Sequence, residues 1–261
     1  MSPHVLAGEA FEAPGTADFW QPLVGNGAWA ITRPMVVVAL SVVLIGVVMM
    51  RLARRMELVP GRAQFAGEGV YDLVRNAVAI DFIGAKKFRP YLPLLLTLFL
   101  MVLVNNLAGA IPFIQFPSFS RIGFAIALTL VVFVTYHAIG IRRKGLGGYF
   151  AGLMPPGVPA LLVPLVYALE LLTYFITRPL TLALRLFANM FAGHTVLLVF
   201  SLGAEYMLLH GANPLIRVAS VGSFAMAIVM TFFEILIQFL QAYIFVLLTA
   251  YYIADALADE H

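Results

Sequence analysis

The sequence predicts an all-α integral membrane protein with five membrane-crossing helices, one interfacial amphipathic helix, and a long, strongly tilted hairpin formed by the last two helices. Composition is the first support: 62% of the 261 residues are hydrophobic and 11% are charged, whereas soluble domains carry about 25% charged residues. The mean hydropathy is +0.97. A series of long apolar segments is the second support, and an arginine inside one of them is the third.

The apolar segments define the spans, because a helix needs roughly 20 apolar residues to cross the hydrocarbon core. After an extracytoplasmic N-terminal segment of residues 1–32, we predict one membrane domain over residues 33–261, with spanning helices at 34–55, 90–111, 121–142, 159–202 and 214–257. Each of the last two has about 60 Å of helix against about 30 Å of hydrocarbon. Each must therefore tilt or break. Pro179 offers one break point, but tilt is the favoured interpretation.

Residues 61–84 have a different pattern, typical of an amphipathic helix at the membrane surface. Its polar positions share one helical face and its apolar positions share the other. The polar face holds Gln64, Glu68, Asp72 and Arg75, and the apolar face holds Val70, Leu73, Val74, Ala77 and Ile80. An alternative stays open, in which this helix packs against the spans.

The basic residues orient the chain and exclude one class of partner. Eleven of the sixteen Lys and Arg residues fall in segments 51–89 and 142–144, so the positive-inside rule makes these segments cytoplasmic, with the N-terminus outside and the C-terminus inside. They lie at the ends of apolar segments and form no basic face with aromatics, so nucleic acid is not an expected partner. The absence of cysteine excludes disulfides and thiolate metal sites.

Arg185 lies near the middle of the apolar run 159–202. A guanidinium is always charged, and its insertion at mid-bilayer costs about 2.5–3.5 kcal/mol, so this side chain must face protein or water. Arg178, Arg185 and Asn189 fall within about 40° of one another on a regular helix, and His194 lies on the opposite face. The last helix has a second stripe, within about 60°, made of Ser223, Glu234, Gln238, Gln241 and Tyr252.

These polar groups either hold helices together or conduct ions. Helix bridging is a fair interpretation of Asn189, Gln238 and Ser223, whereas the titratable Glu170, His194 and Glu234 favour a proton path. Asn105 and Asn106 either line a watery entrance or pair with each other. The sequence has no phosphate loop, no metal-binding histidine pair and no activated nucleophile, so we expect ion handling, with no cofactor and no metal.

Two motifs resemble subunit a of bacterial F-type ATP synthases, the membrane stator beside the rotating c ring. The first is Arg185-Leu-Phe-Ala-Asn189, preceded by Arg178-Pro179, and the second is Gln241-Ala-Tyr-Ile-Phe245. The order of the other segments agrees from about Arg33 to the acidic tail, so the resemblance covers nearly the whole chain.

The resemblance implies a role for each matching residue. Arg185 would face the c-ring carboxylate, with Asn189 and Gln241 on the same surface. His194 and Glu234 match an acid/imidazole pair whose types are exchanged in some members. Asn106 would join the outer half-channel and Glu170 the inner one, although eight residues separate Glu170 from Arg178 where many members have seven. We also expect three further residues on the proton path: Arg178, Gln238 and Tyr252.

The implied function is to couple proton flow, through two offset half-channels, to rotation and ATP synthesis, without catalysing ATP chemistry in this chain. The implied partners are the c-subunit ring, the b-subunit peripheral stalk, the remainder of the F-type ATP synthase, membrane lipid and protons. The implied location is a bacterial plasma membrane. A proton-coupled secondary transporter that binds an anion at Arg185 is the main alternative, although no inverted repeat of the kind typical of such folds is visible. A structural scaffold is a third possibility, and it leaves the intramembrane Arg, His and Glu unexplained.

Overall fold

The computed structural model describes residues 22–25, 30–54, 57–110, 118–154, 157–211 and 213–258. Strands β1 (Pro22–Val24) and β2 (Ile31–Thr32) form an antiparallel hairpin. The helices are α1 (Arg33–Arg54), α2 (Arg62–Val74), α3 (Leu92–Ala110), α4 (Ile122–Ala151), α5 (Val163–Leu172), α6 (Arg178–His210) and α7 (Pro214–Leu257). A π-helix, Arg75–Ile83, continues α2, and a π turn, Thr173–Thr177, joins α5 to α6.

Five helices of the described chain are long and apolar enough to cross a membrane, which confirms the predicted all-α membrane fold. They are Arg33–Arg54, Leu92–Gly109, Ile122–Ala151, Val163–His210 and Pro214–Leu257. The predicted span 159–202 differs from the observed helix, which runs from Val163 to His210. The predicted span 121–142 ends close to the kink at Gly145, after which a further helical segment continues to Ala151. Hydropathy marks where an apolar run ends, whereas backbone hydrogen bonding continues through polar helix formers such as Glu205.

The last two spans form an antiparallel hairpin whose register is fixed by three polar contacts. Going along α6, Arg178 pairs with Asp255, Asn189 with Gln241, and the carbonyl of Phe200 with Ser223. Partners on α7 recede as α6 advances, as an antiparallel arrangement requires. The 44 residues of α7 extend about 66 Å, roughly twice the hydrocarbon thickness. A strongly tilted hairpin accommodates this length.

The core lies where α3, α4 and α7 meet the π-helix that follows α2. Its largest fully buried side chains include Phe99, Phe119 and Phe245. Val74 and Val78 belong to the same core, so the C-terminal half of the 61–84 segment packs on the spans, as the alternative interpretation proposed. Its N-terminal half differs, since Phe65 is 71% exposed. Of the predicted extracytoplasmic segment, only residues 22–25 and 30–32 are described.

The end of α4 folds back at Gly145, whose φ of +71° is readily adopted only by glycine. The fold-back brings Tyr149 over Gly140 and within hydrogen-bonding distance of the His137 Nδ1. A Cβ added at Gly140 would lie 2.6 Å from Cε2 of the buried Tyr149 ring. Gly140 therefore leaves the space that this ring fills.

Gly140→Ala should lower the free energy of unfolding by about 1–3 kcal/mol, the range for overpacking a filled core. The buried ring has to shift, and the hydrogen bond to His137 is lost with it. Thermal unfolding of the detergent-solubilised protein checks this. Gly123→Ala, on the same helix with no atom within 4 Å of the added Cβ, is the matched control, and equal midpoints for the two variants would contradict the packing argument.

Candidate functional site

Arg185 lies on the outer face of α6. The inner face of this helix buries Leu182, Leu186 and Met190, and Arg185 emerges on the exposed side next to Leu184. Among the residues that the structure describes, no side chain forms a hydrogen bond or ion pair with its guanidinium. The group that this charge was predicted to face inside the membrane is therefore not among the described residues of the chain.

Arg178, two turns earlier, has the opposite fate. Its Nη1 lies 2.7 Å from Oδ2 of Asp255, and its guanidinium lies 3.6 Å from the ring centroid of Tyr174 and 5.1 Å from that of Tyr252. The Tyr174 hydroxyl donates to the same Asp255 oxygen at 2.7 Å. The carboxylate and the aromatic faces neutralise the cation within the hairpin.

Five polar side chains meet between α3, α6 and α7. Asn189 Nδ2 donates to Gln241 Oε1 at 2.7 Å, and Gln238 Nε2 donates to Glu234 Oε1 at 3.1 Å. Asn106 donates to the backbone carbonyl of Gln238 at 3.4 Å. The structure thus brings together residues that the sequence assigned to three separate helices. Asn189 bridges α6 to α7, as helix-bridging groups do, whereas the Gln238 side chain bonds Glu234 on its own helix.

These five residues line one cavity of about 350 Å³, with Gly193 and Phe233 among its apolar walls. Four buried polar atoms of this set have no hydrogen-bond partner in the described chain: Asn106 Oδ1, Glu234 Oε2, Gln238 Oε1 and Gln241 Nε2. An unsatisfied buried polar atom costs about 1–3 kcal/mol, so four of them at one cavity favour occupation by water. The cavity runs from buried Glu234 to exposed Asn189, one turn from Arg185.

His194 is buried, 4% exposed, on the side of α6 away from Arg185. The preceding residue, Gly193, packs directly on Glu234, since a Cβ added there would lie 3.5 Å from Glu234 Cγ. Gly193 and Glu234 line the same cavity, whereas His194, the next residue along, does not line it.

The remaining predicted residues have separate surroundings. Asn105 and Asn106 do not pair with each other: Asn105 donates to Ser41 Oγ on α1 at 2.8 Å, while Asn106 reaches α7. Ser223 donates to the Phe200 carbonyl at 2.9 Å and bridges the hairpin. Glu170 is half-buried on α5, and its side chain forms no hydrogen bond with a described residue. The described chain has no cluster of side chains suited to a metal.

Sequence reasoning missed Asp255 and Tyr174. Asp255 was counted with the acidic tail, although it follows Tyr252 by three residues and shares its helical face. Tyr174 precedes Arg178 by four residues, which is the spacing of facing side chains on a helix. Both signals were present, but nothing in the sequence states which tail residue returns to α6.

Fold and site together define a multi-pass membrane protein with an intramembrane ion-handling surface. The family model described as ATP synthase A chain matches residues 35–254. The chain is 43% identical to the ATP synthase subunit a of a Nocardioides species over 97% of its own length and 96% of that protein. It is 39% identical to the subunit a of Streptomyces lividans, with 99% and 92% coverage. The chain belongs to the ATP synthase A chain family.

Removing Asp255 should destabilise the hairpin, because it leaves the Arg178 cation partly buried without its counter-charge. We expect Asp255→Leu to lower stability by about 1.5–3 kcal/mol, the range for hydrogen bonds to charged groups. The double variant Arg178→Met with Asp255→Leu should recover most of this loss, since no uncompensated charge remains. Thermal unfolding measures both, and a double variant no more stable than the single one would refute this assignment.

Proposed function

We propose that this chain is the proton-translocating stator subunit of an F-type ATP synthase, in which two offset half-channels lead to the carboxylate of a c-subunit ring. The carrying observation is Arg185, a permanent cation on the outer face of a spanning helix with no partner among the described residues. A membrane charge of this kind requires a counter-charge or water. A carboxylate on an adjacent subunit supplies the counter-charge.

The cavity between α3, α6 and α7 forms the membrane-centre end of the outer half-channel. Protons pass Asn106 and His194 to Glu234, whose unpartnered oxygen opens on the cavity. The cavity then leads to Asn189 beside Arg185, where a ring carboxylate takes up the proton. A neutral carboxyl group moves into lipid at far lower cost than an ionised one, so protonation permits the ring to rotate.

Arg185 separates the two half-channels. Its positive charge favours the ionised form of a nearby carboxylate, so the ring carboxyl releases its proton as it approaches from the inner side. The same charge repels protons that would cross directly. Each elementary charge that crosses 100 mV delivers about 2.3 kcal/mol, and a direct leak would dissipate that energy without rotation.

The inner half-channel opens towards Glu170 on the cytoplasmic side, with Arg178 and Tyr252 at its wall. The N-terminus lies outside and the C-terminus inside a bacterial plasma membrane, as the basic segments favour. The b-subunit peripheral stalk holds the chain against the rotating ring. ATP chemistry takes place in the soluble part of the complex, and this chain supplies only the proton path.

Arg185→Ala should abolish ATP-driven acidification of inverted membrane vesicles, because it removes the charge that separates the half-channels. ATP hydrolysis by the soluble part of the complex should persist. Arg185→Lys should also pump poorly, since an ammonium loses its proton more readily when buried. Leu184→Ala, the exposed neighbour, is the matched control. Wild-type acidification by the Arg185→Ala complex would sink the proposal.

Glu234→Gln should slow ATP-driven proton pumping by about a hundredfold or more, the lower end of the range for loss of a positioned proton-transfer group. The amide keeps the shape and the hydrogen bond with Gln238 but carries no exchangeable acid. The exchange His194→Glu with Glu234→His keeps one acid and one imidazole at the interface and should pump faster than either single change. Equal rates for Glu234→Gln and wild type would remove Glu234 from the path.

A further inference from the structure

A π turn, Thr173–Thr177, interrupts the helix between Glu170 and Arg178. The Arg178 N–H donates to the carbonyl of Thr173, five residues back, instead of to that of Tyr174. The residue five positions after Tyr174 is Pro179, which has no N–H. The Tyr174 carbonyl is therefore left without a backbone donor from either the α or the π pattern.

A side chain from another helix satisfies that carbonyl. The Tyr136 hydroxyl on α4 donates to the Tyr174 oxygen at 2.9 Å, and the Tyr136 ring is 2% exposed. The side chain of the same residue is also held, because the Tyr174 hydroxyl donates to Asp255 on α7. The π turn is thus fixed by Pro179, which follows it on the same helix, and by partners on two neighbouring helices.

The turn changes the direction in which Glu170 points. A π turn contains one residue more than an α turn, so the eight residues from Glu170 to Arg178 rotate the helix as seven regular residues would. At about 100° per residue, an unbroken α-helix would place Glu170 about 80° from Arg178 and about 100° from Asn189. Through the π turn these angles fall to about 20° and about 0°.

We propose that the π turn is a positioning device that rotates Glu170 onto the face shared by Arg178, Arg185 and Asn189. The inference rests on the proposed proton-translocating function and assigns Pro179 and Tyr136 as positioning residues. Glu170 then lies about 21 Å along the axis from Arg185, too far for direct contact. Its carboxylate collects protons at the mouth of the inner half-channel, and water carries them over the remaining distance.

Moving the carboxylate from position 170 to position 171 tests which helical face it must occupy. Glu170→Gln should reduce ATP-driven acidification of inverted vesicles several-fold, whereas Glu170→Asp should retain most of it. Adding Leu171→Glu to Glu170→Gln should not restore pumping, because position 171 lies about 120° from Arg178 through the π turn. In a regular helix position 171 would lie within about 20° of Arg178, so rescue by this second carboxylate would overturn the proposal.

Deleting one residue tests the turn itself. Deletion of Ile176, whose side chain is 53% exposed, leaves Arg178 four residues after Thr173, so the same two backbone groups form an ordinary α bond. Glu170 keeps its phase and pumping should stay near the wild-type rate. Deletion of Val199, which is 38% exposed in a regular part of α6, should abolish pumping. If both deletions behave alike, the π turn has no special role.

Thiol labelling reports which helical face is exposed to water even where a variant does not pump. A single introduced cysteine can be followed because the native chain has none. In inverted vesicles with the whole complex assembled, Glu170→Cys should react with a water-soluble maleimide and Leu171→Cys should not. The reverse pattern, or equal labelling, would overturn the inference. Arg185→Ala separates the two proposals. If Arg185→Ala abolishes pumping while Glu170→Gln leaves it unchanged, only the role of Glu170 is rejected. If Arg185→Ala pumps normally, the proposed function is rejected.

Discussion

The cost of a polar group in the membrane governs this structure. Each intramembrane charge or amide must be neutralised within the chain, reach water, or face another molecule, and α6 and α7 show all three solutions. Arg178 is paired with Asp255, Glu234 lines the cavity that favours water, and Arg185 faces outwards. A long hairpin carries all three arrangements along one pair of helices.

Much of the site was predictable because helical periodicity is independent of the neighbours. Spacing alone placed His194 opposite Arg185, and the structure buries the one and exposes the other. The arithmetic fails where the helix is irregular. Applied from Arg178 back to Glu170, it would misplace Glu170, because Thr173–Thr177 is a π turn. The eight-residue spacing between Glu170 and Arg178 carries no local signal of that irregularity.

Contacts between distant segments were beyond sequence reasoning. Nothing local to Asp255 indicates that it returns to Arg178 across 77 residues, and hydropathy did not locate the fold-back at Gly145, because polar and glycine residues end an apolar run whether or not the helix continues. Asn105 and Asn106 are a partial exception. Adjacent helical residues diverge by about 100°, so their separation towards α1 and α7 followed from geometry, although their partners did not.

Two arginines on nearly one helical face have opposite fates, and α7 explains why. The register that pairs Arg178 with Asp255 and Asn189 with Gln241 places Arg185 opposite residues 245–248, which read Phe-Val-Leu-Leu. An apolar stretch offers no counter-charge, and Phe245 and Val246 are fully buried in the core. The hairpin thus neutralises one arginine with its own carboxylate and leaves the other, without a partner among the described residues, for the ring carboxylate that we propose. A passive scaffold has no need of this asymmetry, whereas a stator that must release and recapture a moving carboxylate depends on it.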